Sequence, residues 1–261
     1  ATNVRLGRNQ TWTVADATSV LTVTGALQGE ANLTIAGAGK VSLTGAADPL
    51  FNAGSTAVFT VSSGSTLEVT NTGGLGTSAN ANLASLVLNG AFYYNNATAG
   101  TISNPMTLSG GILSAAGNGQ TYSGALNLAS DSTINMRDSN SATLTTTQRN
   151  ITLSGVLSGA GKLTLDSINT VSSGNQVTGT LVLSAANPSW SGGINVLRGT
   201  VDLRQESSIG TGPARVETGR FLFKGATNTV WNQFGAGLTV DATTGTALVE
   251  LQADNQGTTG L

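Results

Sequence analysis

The chain has 261 residues, a formal net charge of −2 and 9% charged residues, with 35 glycines, no cysteine and no histidine. So little charge argues against a long helical domain and against a disordered chain, and the 11 scattered basic residues argue against nucleic-acid binding. The absence of cysteine removes disulfides and thiolate chemistry. Thr, Ser and Asn occupy the polar positions instead, and these residues suit outer sheet faces and turns.

Two stretches near the start of the chain have close copies further on. The segment 33–43 (LTIAGAGKVSL) matches 157–165 (LSGAGKLTL), with the shared core G-A-G-K-[VL]-[ST]-L. The strand and turn 21–27 (LTVTGAL) matches 151–157 (ITLSGVL) in the same relative position. Internal similarity of this kind predicts a repeat architecture in which each copy stacks on its neighbours.

Short strand-like segments continue between the two copies at a spacing of roughly 20 residues, at the short end of solenoid repeats. They are 58–61, 67–69, 86–88, 106–108, 111–113, 126–128, 133–136 and 142–144. Each strand would point alternate side chains inward, and each turn would use Gly or Asn to change direction. The predicted fold is all-β, a right-handed parallel β-helix (β-solenoid) of roughly 10–13 rungs, making a rod of about 50–60 Å.

Three consecutive aromatic residues interrupt this pattern at Phe92, Tyr93 and Tyr94. Because side chains alternate along a strand, all three cannot point inward, so at least one is expected on the outer surface. These three residues are the predicted surface contact, for stacking on a sugar or a partner, although a shielded surface patch or a loop contact is the simpler role for them. Trp190, Phe221 and Phe223 are predicted to be core residues.

The run from Gly179 to Phe223 holds the most regular series of strands, at 181–183, 194–196, 200–203, 214–216 and 221–223. It resembles the passenger-associated transport repeat of bacterial autotransporters. The matching elements are G-T-L at 179–181, S-A-A-N at 184–187, Trp190, S-G-G at 191–193, G-T-V at 199–201 and I-G-T-G-P at 209–213. The resemblance implies a parallel β-helix on an exported surface protein and a contribution to efficient export.

The last segment, 231–261, retains strand-like pieces at 237–240 and 247–251. Residues 1–261 are therefore predicted to form a single continuous parallel β-helix. It is expected to be a segment of a longer surface protein, attached to a membrane only through a region outside this chain.

Side chains that could act in catalysis or bind a metal are sparse along the chain. The 13 acidic residues are almost all solitary, with Asp131 and Asp138, or Asp202 and Glu206, as the nearest pairs. Asp202 and Arg204 alternate on one strand face and predict an exposed ion pair. With no histidine, the commonest general base is missing. The sequence therefore predicts no catalytic residues, no cofactor and no metal site.

The predicted function is a non-catalytic stalk or adhesive β-helix of an exported bacterial surface protein, located at the cell surface or outside the cell. Two alternatives stay open. One is a fibre subunit that self-associates through its terminal rungs, since uncapped strand edges pair. The other is a polysaccharide-binding or polysaccharide-degrading β-helix, and a host or matrix glycan or protein is the corresponding partner.

Overall fold

The structure is a computed structural model. It describes residues 2–45, 57–72, 75, 83–96, 98–115, 119–136, 150–167, 169–170, 176–177, 179–225, 236–242 and 246–253. The secondary structure of this part of the chain consists of short strands. The first fourteen are β1 (Val4–Leu6), β2 (Gln10–Thr13), β3 (Val20–Val23), β4 (Leu27–Gly29), β5 (Leu33–Ala36), β6 (Lys40–Leu43), β7 (Val58–Val61), β8 (Thr66–Val69), β9 (Ser85–Leu88), β10 (Ala91–Tyr94), β11 (Thr101–Ile102), β12 (Met106–Ser109), β13 (Ile112–Ala115) and β14 (Gln120–Tyr122).

The remaining strands follow without any helix between them in the described residues. They are β15 (Leu126–Ser130), β16 (Ser132–Asn135), β17 (Asn150–Leu153), β18 (Leu157–Ser158), β19 (Leu163–Asp166), β20 (Asn169–Thr170), β21 (Gln176–Val177), β22 (Thr180–Leu183), β23 (Ile194–Arg198), β24 (Thr200–Leu203), β25 (Ala214–Val216), β26 (Arg220–Gly225), β27 (Leu238–Val240) and β28 (Leu248–Ala253).

Three long parallel sheets form the walls of a solenoid. Sheet A stacks β11, β14, β17, β22, β24, β26 and β28; sheet B stacks β2, β5, β7, β9, β12, β15 and β18; sheet C stacks β3, β6, β8, β10, β13, β16, β19, β23, β25 and β27. One turn of the chain passes from sheet A to sheet B to sheet C, as β11, β12 and β13 do. A further parallel pair, β1 with β4, lies in the first turns, and β20 and β21 form a short antiparallel pair.

The predicted all-β parallel β-helix is confirmed, and its handedness stays a prediction. The stack amounts to about 8 turns, while sheet C carries ten strands, so the size lies at or below the low end of the predicted 10–13 rungs. The reason is that many turns are longer than 20 residues: Val20 pairs with Lys40, but Leu163 pairs with Ile194. Ten strands spaced by about 4.8 Å extend over about 43 Å, less than the predicted 50–60 Å.

The core is a continuous column of apolar side chains inside the three sheets. In sheet C the pairing places Val41, Leu67, Phe92, Leu113 and Ile134 in one row, and each is fully buried. Each row member contacts its neighbours above and below, so burial of one turn depends on the next.

The connections at the three corners differ in length. In three successive turns the connection from sheet A to sheet B has three residues. These connections join β11 to β12, β14 to β15, and β17 to β18. From sheet C to sheet A the connection ranges from one residue, between β23 and β24, to fourteen, between β16 and β17. Variation in turn length is therefore concentrated at one corner.

The predicted strands between 179 and 223 all coincide with observed ones, namely β22 to β26. Trp190 takes the sheet B position of this turn through a single parallel bridge to Gly159. The predicted strand at 142–144 lies outside the described residues. In the part of the chain that the structure describes, no helix is long and apolar enough to cross a membrane.

Candidate functional site on the outer face of sheet C

The outer face of sheet C carries a row of polar and aromatic side chains that are shielded from solvent. Strand pairing aligns Ser42, Glu68, Tyr93, Ser114 and Asn135 across five successive turns. They point away from the core because their strand neighbours point into it. Even so, the first three are only 5%, 5% and 4% exposed.

Within this row Glu68 is the centre of a polar cluster that draws on three turns. One carboxylate oxygen, Oε2, pairs with Lys40 Nζ from β6. The other, Oε1, accepts hydrogen bonds from Ser42 Oγ and from Asn95 Nδ2, each at 3.2 Å. The side chains of Glu68 and Lys40 are 7% and 27% exposed. Three partners compensate the burial of this carboxylate, which would otherwise be costly.

A groove of about 410 Å³ runs beside this cluster along the outside of the solenoid. Its floor follows the outward positions of sheet C, including Lys40, Thr66, Tyr93 and Ile112, and one wall is formed by the corner at Ala38 and Gly39. Ile112 is 39% exposed, unlike most large apolar side chains. The groove therefore combines hydroxyl, apolar and charged groups on one face.

The structure buries all three aromatic residues that the sequence singled out. Phe92 and Tyr94 belong to the core, whereas Tyr93 is not part of the core cluster and lies in the outward row at 4% exposure. The alternation argument was right that one of the three rings lies on the outer face, and neighbouring groups shield Tyr93 there. A contact between these residues and a partner stays a prediction.

Inside the solenoid, aromatic packing links opposite walls. Phe92 of sheet C meets Tyr122 of sheet A edge-on, with ring centroids 6.2 Å apart. The Tyr122 hydroxyl donates a hydrogen bond to the Ser114 carbonyl oxygen at 3.0 Å. Burial raises the pKa of Tyr122 well above its ordinary value, and the nearby phenols of Tyr94 and Tyr93 add to the shift. Tyr122 is therefore a neutral hydrogen-bond donor at physiological pH.

Of the acidic residues named as nearest pairs in the sequence, Asp131 contacts Lys162 and Asp202 contacts Arg204. Asp202 binds Arg204 through two hydrogen bonds of 2.9 and 2.7 Å, but its side chain is 3% exposed, so the expectation of an exposed pair was wrong for the carboxylate. The stacked outer face of sheet A shields it. Asp138 lies outside the described residues. Among the residues described, no group of three or more His, Cys, Asp or Glu could hold a metal ion.

The residues that carry the autotransporter resemblance serve the packing of successive turns. Trp190 is fully buried, as predicted, and its indole Nε1 donates to the Gly161 carbonyl oxygen at 3.0 Å. Asn187 accepts from the Leu157 backbone N–H at 2.7 Å and donates to the Ser208 carbonyl oxygen at 2.5 Å. The aromatic and Asn positions of this run therefore join three turns. Phe221 and Phe223 are core residues, also as predicted.

Sequence reasoning missed the cluster of Lys40, Glu68 and Asn95. Lys40 was visible in the first G-A-G-K copy, and Glu68 stood out as an acidic residue within a strand. Only the register of sheet C brings them together, because the turns between them have different lengths.

Comparisons with protein-family models, with curated proteins and with solved structures each found no match. The resemblance to autotransporter passengers therefore depends on the quoted motifs alone.

Proposed function

We propose that the chain is a non-catalytic structural or adhesive shaft of an exported bacterial surface protein. The observation that supports this best is the unbroken stack of ten strands in sheet C, with buried apolar rows that tie each turn to the next. A rod built in this way gains rigidity from repetition and can fold turn by turn. The transport-repeat motifs at 179–223 add support for export.

Secretion of the parent protein in its native host tests this proposal. Deleting 179–223 is expected to reduce the amount of protein that reaches the cell surface, measured by antibody labelling of intact cells. A matched deletion of 91–132 also removes two whole turns, since Ala91 pairs with Ile112 and Ile112 with Thr133, and it leaves the motifs intact. Normal surface display after the first deletion would contradict an export role for the motifs.

A second candidate is a fibre subunit, which is favoured by apolar core positions that open to solvent at both ends of sheet C. Leu21 of β3 and Val240 of β27 both belong to the inward row, yet they are 41% and 53% exposed. Among the described residues β3 and β27 each pair on one side only, and strand edges of this kind are templates for further pairing. A second copy stacked head to tail would cover both.

Electron microscopy over a concentration series distinguishes the fibre from the isolated rod. Polymers of uniform width are expected for a fibre subunit, and Leu21→Lys or Val240→Lys should abolish them. Ile112→Lys is the control, because Ile112 is exposed on the outer face far from either end. Isolated rods at all concentrations, or polymers that persist in both end variants, would contradict head-to-tail stacking.

Carbohydrate binding is a third candidate, supported by the mixed polar and apolar groove beside sheet C. A glycan array probed with the purified chain tests it. The chain is expected to bind at least one glycan on the array, and Thr66→Arg should remove that binding. No binding to any neutral or acidic polysaccharide would contradict the proposal.

A further inference from the structure

The outer face of sheet B differs from the other two walls in its lack of charge. The seven strands of this sheet, as the structure describes them, contain no Lys, Arg, Asp or Glu residue. Sheets C and A, in contrast, carry ion pairs on their outer faces, for example Lys40 with Glu68 and Arg220 with Glu250. One wall of the solenoid is therefore built from neutral side chains over its described strands.

Side chains branched at Cβ form a column along the middle of this neutral face. The register of sheet B aligns Thr11, Thr34, Thr60, Val87 and Thr107 in five successive turns, and Asn127 and Ser158 continue the column. Thr60 points outward because its neighbours Phe59 and Val61 are fully buried. Successive members of the column are spaced by about 4.8 Å, the distance between paired strands.

A second column of neutral side chains lies two positions further along the chain in each of these turns. Its members are Thr13, Ala36, Ser62, Asn89 and Ser109, all of them exposed or half-buried. The backbone N–H groups of Ser62 and Asn89 donate to the carbonyl oxygens of Ile35 and Val61, each at 2.9 Å, and so continue the pairing beyond the strands. The backbone therefore sets both repeats of a two-dimensional array, about 4.8 Å between turns and about 6.6 Å along each turn.

Threonine gives this array fixed hydrogen-bonding groups. Its branched Cβ restricts χ1, so the hydroxyl group occupies few positions, and that hydroxyl both donates and accepts hydrogen bonds. Charged groups would instead order water strongly around themselves. Water on this face is therefore held with the period of the sheet.

We infer that the outer face of sheet B binds ice. The spacing of about 4.8 Å between turns is close to the repeat of water molecules along one axis of hexagonal ice, so water ordered by the threonine column can join the crystal. This activity goes beyond the proposed shaft, and an isolated rod and a fibre would both possess it.

Two other neutral partners fit this face less well. A second copy packed face to face would bury about 750 Å² in total, less than the roughly 1,000 Å² of a specific interface. Sugar rings stack on aromatic side chains, but Trp12 and Phe59, the aromatic residues of these strands, belong to the inward row and pack with the core. An ice crystal needs neither a larger face nor aromatic rings.

Ice growth in a solution of the purified chain tests the inference. The wild-type chain is expected to shape ice crystals into faceted forms and to open a gap between their melting and freezing temperatures. Unshaped crystals without such a gap overturn the inference. If they are accompanied by a dimer that Thr60→Lys dissociates, or by binding to an insoluble neutral polysaccharide that Thr60→Lys removes, the face belongs to that partner instead.

Substitutions locate the activity on sheet B. Thr60→Lys places a charge in the threonine column and should abolish ice shaping, whereas Thr60→Val retains the branched shape without the hydroxyl and should narrow the temperature gap. Thr133→Lys is the matched control, because Thr133 is a half-buried outward residue of sheet C, and it should retain full activity. Circular dichroism checks folding, and if Thr60→Lys fails to fold, wild type and Thr60→Val decide the outcome. Equal losses in the two lysine variants would overturn the assignment to sheet B.

Discussion

The two G-A-G-K copies, Gly37–Leu43 and Gly159–Leu165, form nearly the same corner. The first glycine of each has a left-handed backbone, with φ of 93° at Gly37 and 96° at Gly159. A Cβ atom at either position would lie 2.1 Å from the Val14 carbonyl oxygen or 2.3 Å from the Leu128 carbonyl oxygen of the preceding turn. The shared sequence therefore encodes a tight turn that lets two turns of backbone approach closely.

The copies differ in what the neighbouring turns provide. At the first, Ser65 donates to the Gly37 carbonyl oxygen at 2.7 Å, and Lys40 meets a buried carboxylate. At the second, the Trp190 indole donates to the Gly161 carbonyl oxygen, and Lys162 meets an exposed carboxylate. The motif thus determines the corner, while the adjacent turns determine the chemistry of its lysine.

The largest expected difference between the copies lies in the residues that cover them. Trp190→Ala should lower the free energy of unfolding by about 3–5 kcal/mol, because it leaves a large cavity in the core. Ser65→Ala should cost only about 1 kcal/mol, the value of one hydrogen bond. Urea denaturation measures both, and Trp190→Phe separates the loss of the indole hydrogen bond from the loss of volume. Equal effects of the two alanine variants would contradict this contrast.

The glycines should behave alike in the two copies. Gly37→Ala and Gly159→Ala should each destabilise the protein by about 1–3 kcal/mol from the left-handed backbone alone, with the contact to the neighbouring carbonyl adding to it. Thermal melts of the two variants check this. If one substitution were neutral while the other was severe, the two corners would not be structurally equivalent.

Removing the acidic partner should distinguish the two lysines. Glu68→Ala leaves Lys40, Ser42 and Asn95 without their shared acceptor and should cost about 1–3 kcal/mol. Asp131→Ala removes an exposed pair and should cost about 0–1 kcal/mol. Chemical denaturation in low and high salt measures both, and salt should weaken only the exposed pair appreciably.

The smallest expected effect is a pH dependence at the second copy. The backbone N–H of Lys162 lowers the pKa of Asp131 below its ordinary value of 3.8. Because the folded-state pKa is the lower one, the stabilisation is complete above about pH 5, well above the unfolded value, and is lost as pH falls through the folded value. Asp131→Asn should therefore lose less stability than wild type between about pH 5 and pH 3. An unchanged acid response would contradict this contribution.

The sequence predicted the fold from its strands and corners, because alternation and glycine placement are local properties. Strands such as β24 and β25 match their predicted limits, and Trp190 is a core residue as expected. The size of the solenoid and the burial of the Asp202 carboxylate were not predictable, because they depend on which turns stack and how long each turn is. The same holds for the meeting of Lys40, Glu68 and Asn95.

The uneven corners have a practical consequence for protein engineering. Since the chain between sheets C and A already varies from one residue to fourteen while the strands on either side keep their pairing, foreign peptides grafted there should leave the scaffold intact. The corner between sheets A and B, which has three residues in each of the turns from β11 to β18, is expected to be less tolerant. A solenoid of this kind could present several epitopes in a line, one per turn, along a single edge.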